Sequence, residues 1–160
     1  MDEKIETQSV IATLRSDTPL PVLQLWDAHV DDNVVPEYAD YTEEMNLNVS
    51  LRAEMGSSQT SVRLEVEDLV TLIQNLRPLI ELRAPRSDWW IYSRRLEFHF
   101  HVQSHKMGPP VACEIWLRDA ISVQEEHHCC FETNLTWIAL FLADLERLAC
   151  HYASARRLLA

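Results

Sequence analysis

The chain has 160 residues, 47% hydrophobic and 24% charged, a length and balance that fit one globular domain and exclude a collagen, a coiled coil or a wholly disordered chain. Its longest apolar run, Trp137 to Ala143, is seven residues, against the roughly 20 a helix needs to cross a bilayer; the opening Met1-Asp2-Glu3-Lys4-Ile5-Glu6 lacks both the basic and the apolar part of a secretory signal, so a cytoplasmic protein with no membrane partner is expected. The formal net charge of -11 repels phosphate backbones and makes nucleic acid an unfavourable ligand.

In chain order, the first feature is where that charge lies. Residues 1–45 hold eleven acids and two bases, and residues 46–160 hold fourteen acids and twelve bases, so the first quarter alone carries -9. Between Arg15 and Arg52 there is no base at all. We therefore read residues 1–45 as an acidic N-terminal segment ahead of an α+β core at 46–160. A charge run is commonly only a solvated face, but Trp26, Tyr38 and Tyr41 stand among these acids, and aromatics of that kind anchor partners. The candidate partner-binding set is Trp26, Asp27, Asp31, Asp32, Glu37, Tyr38, Asp40, Tyr41, Glu43 and Glu44. Its expected partner is another protein with a basic surface, a toxin or a subunit of a complex, and a homo-oligomer is compatible with the same features.

Only two glycines occur, Gly56 and Gly108, each between segments of strand-like composition. The first predicted hairpin runs from about Asn46 to Glu54 and from Gln59 to Val66, with Gly56-Ser57-Ser58 as its turn. Leu47, Val49 and Leu51 alternate with polar residues there, as do Val62, Leu64 and Val66, so one face is buried and one exposed. A helix follows from about Asp68 to Leu82, marked by Leu69, Leu72, Ile73, Leu76 and Ile80; Pro78 removes a backbone donor and should kink or shorten it.

Next comes a basic and aromatic stretch from Arg77 to Arg95. Arg83, Arg86, Trp89, Trp90, Arg94 and Arg95 form an alternative interface, since arginine and tryptophan can grip phosphates or stack on bases. The plainer reading has Trp89 and Trp90 straddling a sheet edge, one inside and one out, with the arginines paired to the acidic N-terminal arm.

The second predicted hairpin joins Leu96–Gln103 to Val111–Arg118. Leu96, Phe98, Phe100 and Val102 point to one face, and Glu97, His99, His101 and Gln103 to the other. A further strand is expected from Val123 to Phe131. The last helix, from about Asn134 to Tyr152, has Thr133 or Asn134 as its cap and closes near Arg156-Arg157. Trp116 and Trp137 sit in apolar surroundings and are expected in the core. Val66-Glu67 entering one helix parallels Phe131-Glu132 entering the other, about 65 residues on, which is compatible with a duplicated ββα unit. The fold class expected is α+β: a mostly antiparallel sheet of about five or six strands, with two amphipathic helices on one face. Its core should include Leu64, Val66, Phe98, Phe100, Ile115, Leu117, Leu142 and Leu145.

Over residues 46–152 the chain resembles the WapI-like bacterial immunity proteins and related two-unit families, in which paired strands feed a helix packed on an antiparallel sheet. The residues that carry the resemblance are Val62-Arg63-Leu64-Glu65-Val66-Glu67-Asp68-Leu69, Arg95-Leu96-Glu97-Phe98-His99-Phe100, and Phe131-Glu132 leading to Leu145-Glu146-Arg147-Leu148. The resemblance implies neutralisation of a toxin by binding, as an immunity or inhibitor protein, with no catalytic residues. The acidic first quarter has no counterpart in it.

The competing readings are a structural subunit of a larger complex and a small metal-dependent enzyme or sensor built on His99 and His101, which share a strand face. Zinc needs three or four converging ligands. Glu97, His127, His128, Cys129 or Cys130 could supply the rest, although adjacent residues point to opposite faces, so only one of each neighbouring pair can join. Cys113, Cys129, Cys130 and Cys150 contain no Cys-x-x-Cys step. We therefore expect no bound metal and reduced, non-catalytic thiols; a nucleophilic Cys129 or Cys130 is expected to need a histidine from another strand. Two isolated glycines cannot build the usual phosphate loop or dinucleotide fingerprint, and no cofactor is expected.

Overall fold

In the computed structural model of the chain the structure describes residues 10–16, 21–29, 44–53, 56–103, 110–118 and 126–160. They form β1 (Val10–Arg15), β2 (Pro21–His29), β3 (Glu44–Ala53), β4 (Gly56–Glu65), α1 (Val66–Ile80), β5 (Arg86–Trp90), β6 (Leu96–Val102), β7 (Pro110–Arg118), β8 (Glu126–Asn134), α2 (Leu135–Ala149) and α3 (Ala153–Leu159). The α+β class holds, with every strand pair antiparallel. The single sheet of five or six strands does not: there are two four-stranded sheets, ordered β1-β2-β3-β4 and β5-β6-β7-β8. The two helices accordingly do not share one face of one sheet.

Three strands account for the difference. β1 and β2 lie in the acidic quarter, where the charge obscures a short apolar alternation: Ala12 and Leu14 pair with Leu25 and Leu23, which pair in turn with Val49 and Leu51, and all six are buried. Buried core residues therefore begin at Ala12, ahead of residue 46. β5 lies in the arginine and tryptophan stretch, where Ser87 and Trp89 alternate with exposed Arg86, Asp88 and Trp90. Each half of the chain reads ββββα rather than ββα. The repeat offset is 69 residues from Val66 to Leu135, the first residues of α1 and α2; Phe131-Glu132 belongs to β8, so its likeness to Val66-Glu67 is out of register.

The halves interlock. α1 packs against β4, against α2 and against β5, the first strand of the second half, while α2 packs against β8 and against β1, the first strand of the first half. Thr133 Oγ donates to the Arg15 carbonyl at 2.6 Å and Thr13 N–H donates to Asp144 Oδ2 at 3.3 Å across that seam. All eight residues expected in the core are buried. Phe98 is the hub of the aromatic part, stacked on Trp89 at 5.2 Å and edge-on to Phe141 at 6.2 Å.

Local signals set the helix ends. Asn134 caps α2, its side-chain oxygen accepting from Trp137 N–H at 2.9 Å. Pro78 sits in the last turn of α1, which stops at Ile80; Leu82 then adopts φ 56°, and the N–H groups of Leu82 and Arg83 donate to the carbonyls of Leu79 and Pro78, a Schellman ending without glycine. The second helix expected to run to Tyr152 is two, with Arg156 and Arg157 in α3. Gly56, Ser57 and Ser58, expected as a turn, pair with Ala53, Arg52 and Leu51 inside the ladder. Among the described residues no helix is long and apolar enough to cross a membrane.

Candidate functional site

Strand alternation gives the second sheet a polar outer face. β5 contributes Arg86, Asp88 and Trp90, β6 contributes Glu97, His99 and His101, β7 contributes Glu114, Trp116 and Arg118, and β8 contributes His128 and Cys130. The register aligns them in rows across the sheet: Asp88, His99, Glu114 and Cys130 in one, and Trp90, Glu97, Trp116 and His128 in the next. Directly opposed side chains share a face at close range, so residues far apart in sequence meet here. An open depression of about 500 Å³ lies beside them, lined in part by Arg86, His99, His101, Glu114, Cys130 and Glu132.

One network centres on Glu97, a carboxylate only 8% exposed that is held by Arg118 Nη1 at 2.7 Å, His99 Nε2 at 3.1 Å and Arg94 at 3.8 Å. Burial pushes Glu97 up, but the hydrogen bonds from His99 and Arg118 and the charges of Arg118 and Arg94 outweigh it and hold the carboxyl below its usual range. His99 Nδ1 also meets Asp88 Oδ1 at 2.8 Å. Burial lowers its pKa, and the hydrogen bonds and charges of Asp88 and Glu97 raise it further than burial lowers it, so the net shift is upward.

The second network centres on His128, whose ring is stacked on Trp116 at 3.7 Å and 11°. His128 Nε2 lies 2.9 Å from Glu114 Oε1 and 3.3 Å from Cys130 Sγ. The Trp116 indole N–H donates to the same Glu114 oxygen at 2.6 Å, and the Arg118 guanidinium lies over the Trp116 ring at 4.9 Å. Burial, then the Glu114 charge, push the Cys130 thiol up, so this is not an activated thiolate. The Cys–His contact comes from one strand at a spacing of two, not from a second strand as expected. Cys113, on the inner face, is pushed well up by burial.

The structure divides the residues singled out in the sequence. His99 and His101 share the outer face as expected, with carboxylates engaging both ring nitrogens of His99, and the group of ligand atoms that converges among the described residues is a different one. Glu114, which sequence reading missed, joins His128 and Cys130 instead. Trp89 leaves the alternative interface: it is buried, and its indole donates to the Asp68 carbonyl at 3.0 Å. Trp90 faces outward with Arg94 over its ring at 4.7 Å, so the two tryptophans do straddle the edge strand. Among the described residues Arg83 and Arg86 pair with Glu81 and Asp88, and Arg94 with Glu97; Arg95 donates to the Arg118 carbonyl at 3.3 Å; most of the acidic arm lies outside the described residues. Trp116 and Trp137 are half-buried rather than core. Of the acidic set, Trp26 lies on β2, its indole donating to Ser50 Oγ at 3.0 Å; Asp27 and Glu44 lie on β2 and β3. Asp31, Asp32, Glu37, Tyr38, Asp40, Tyr41 and Glu43 fall outside the described residues. No family model matches the chain, and no curated protein matches it.

Proposed function

We propose that the chain is a non-catalytic protein-binding module of the immunity or inhibitor kind, which holds a basic surface of another protein through the acidic and aromatic stretch between β2 and β3. One observation carries the reading. β2 and β3 are hydrogen-bonded neighbours, with Trp26 opposite Asn48 and His29 opposite Asn46, and residues 30–43 between them hold Asp31, Asp32, Glu37, Asp40 and Glu43 with no base. Asp27 and Glu44 continue the run onto the strands. Connections carried by a paired-strand scaffold are where binding residues concentrate, and a run of acidic charge steers a basic partner into encounter.

The test is kinetic. A basic partner recovered by affinity capture from the source cells is immobilised, and its association with the wild-type chain is compared with that of a variant carrying Asp31→Lys, Asp32→Lys, Glu43→Lys and Glu44→Lys. The reading requires a wild-type on-rate that falls as salt rises and an on-rate at least tenfold lower in the variant; Tyr38→Ala or Tyr41→Ala should act mainly on the off-rate. Unchanged rates at low salt would reduce the acidic run to a solvated face. A second reading would then take over, because Trp90 and Tyr92 at the β5–β6 corner are 44% and 101% exposed beside Arg94, an aromatic and arginine composition typical of interface anchors.

A further inference from the structure

We propose that Glu114, His128 and Cys130 form a zinc-binding site on the outer face of the second sheet. The carboxylate oxygen, imidazole nitrogen and sulfur all lie within 4.8 Å of one another, two of the separations being 2.9 and 3.3 Å. Ligands held at 2.0–2.3 Å around a tetrahedral zinc sit about 3.3–3.8 Å apart. Small side-chain adjustments therefore suffice to admit the ion.

Hydrogen bonding alone serves only one of the two contacts of His128 Nε2 well. His128 Nε2 has a single in-plane site, which carries either a proton or a lone pair. As a donor it serves Glu114 and leaves Cys130 a weak acceptor; as an acceptor it serves the thiol and faces the carboxylate lone pairs at 2.9 Å. A cation between the three satisfies all of them at once. Mixed oxygen, nitrogen and sulfur donors select a borderline metal such as Zn²⁺ over Ca²⁺ or Mg²⁺, which take oxygen.

The surroundings are those of a site held in position. All three ligands stand on paired strands, with Glu114 opposite Cys130 and Trp116 opposite His128, so no loop has to be ordered on binding. Trp116 fixes both other partners, its ring stacked on the imidazole and its N–H on the carboxylate; outer contacts of this sort orient ligands and tune affinity. Glu114 and Cys130 also line the open depression. Three protein ligands leave a fourth position for water or for a group brought by a partner. Spacing rules point away from a metal because they count ligands close in sequence, and here strand register supplies Glu114.

Zn²⁺ and Co²⁺ titrations of the full chain test the proposal. One metal per chain should bind, and Co²⁺ should give a thiolate charge-transfer absorption. Cys130→Ser and His128→Gln should each weaken zinc at least tenfold. Trp116→Phe, which keeps the stack and loses the indole donor, should weaken it by about 10-fold or more. His99→Gln and His101→Gln should leave it unchanged. In the wild-type chain Zn²⁺ should slow alkylation of Cys130 and spare Cys150, also exposed, which keeps the test decisive where a variant folds poorly. Absence of zinc binding, binding that survives both Cys130→Ser and His128→Gln, or a Cys130 alkylation rate indifferent to Zn²⁺ overturns the proposal.

Discussion

On β6, Leu96, Phe98 and Phe100 are each 1% exposed, while Glu97, His99 and His101, one step along the same strand, face outward into ion pairs and the open depression. β7 and β8 repeat the contrast, with Ile115 and Cys129 inside and Glu114 and Cys130 outside. The inner face gains stability from area removed from water, which tolerates no charge. The outer face gains little from area, and holds titratable groups in register where their chemistry depends on which strand lies opposite. The two faces should therefore answer to different perturbations.

The largest effect belongs to the inner face. Phe98→Ala removes the ring that contacts Trp89 and Phe141, and Leu145→Ala opens the buried side of α2; each should cost about 2–5 kcal/mol in chemical denaturation. A cost under about 0.5 kcal/mol for both would reject the assignment of faces. The next effect lies on the border of the two faces. Glu97→Gln leaves Arg118 without its buried counter-charge and should cost about 1–3 kcal/mol near neutral pH, whereas Glu126→Gln, at the exposed end of the same cluster, should cost under about 0.5 kcal/mol. Equal costs would show that burial of the carboxylate does not matter.

A smaller effect separates the faces by pH. His99 is raised, so its stabilisation is complete below its ordinary value of 6.5 and is lost as pH rises through the raised native value. Glu97 is lowered, so its stabilisation is complete above its ordinary value of 4.5 and is lost as pH falls through the lowered native value. The pair contributes fully between those two values. His99→Gln should flatten the alkaline limb of the stability profile and Glu97→Gln the acid limb, while Phe98→Leu should shift the profile down without changing its shape. Trp116→Phe, which keeps the stack on His128 and loses one hydrogen bond, should cost only about 0.5–1.5 kcal/mol in chemical denaturation.

Much of the inner face was legible in the sequence, because strict alternation from Leu96 to Gln103 and the leucine stripes of α1 and α2 are local signals. The cap at Asn134 and the opposite orientations of Trp89 and Trp90 follow from the same kind of reasoning. β1 and β2 were hidden because acidic residues dominate the composition around short apolar alternations, and their register shifts break the period. The outer-face cluster was out of reach for another reason. His128 and Cys130 at a spacing of two could be placed together, but Glu114 joins them only through the β7–β8 register, which no local pattern specifies. The crossing of each helix onto the other half's first strand is likewise a tertiary choice.

The contrast between faces is tested most directly at Cys129 and Cys130, adjacent residues that the register sends to opposite sides of β8. Alkylation of the folded chain in metal-free buffer at mildly alkaline pH, read residue by residue by mass spectrometry, should label Cys130 and Cys150 quickly. Cys129 and Cys113 should react only as fast as the chain opens, and should gain rate together as denaturant is added. Labelling of Cys129 and Cys130 at the same rate in the folded chain would contradict the account.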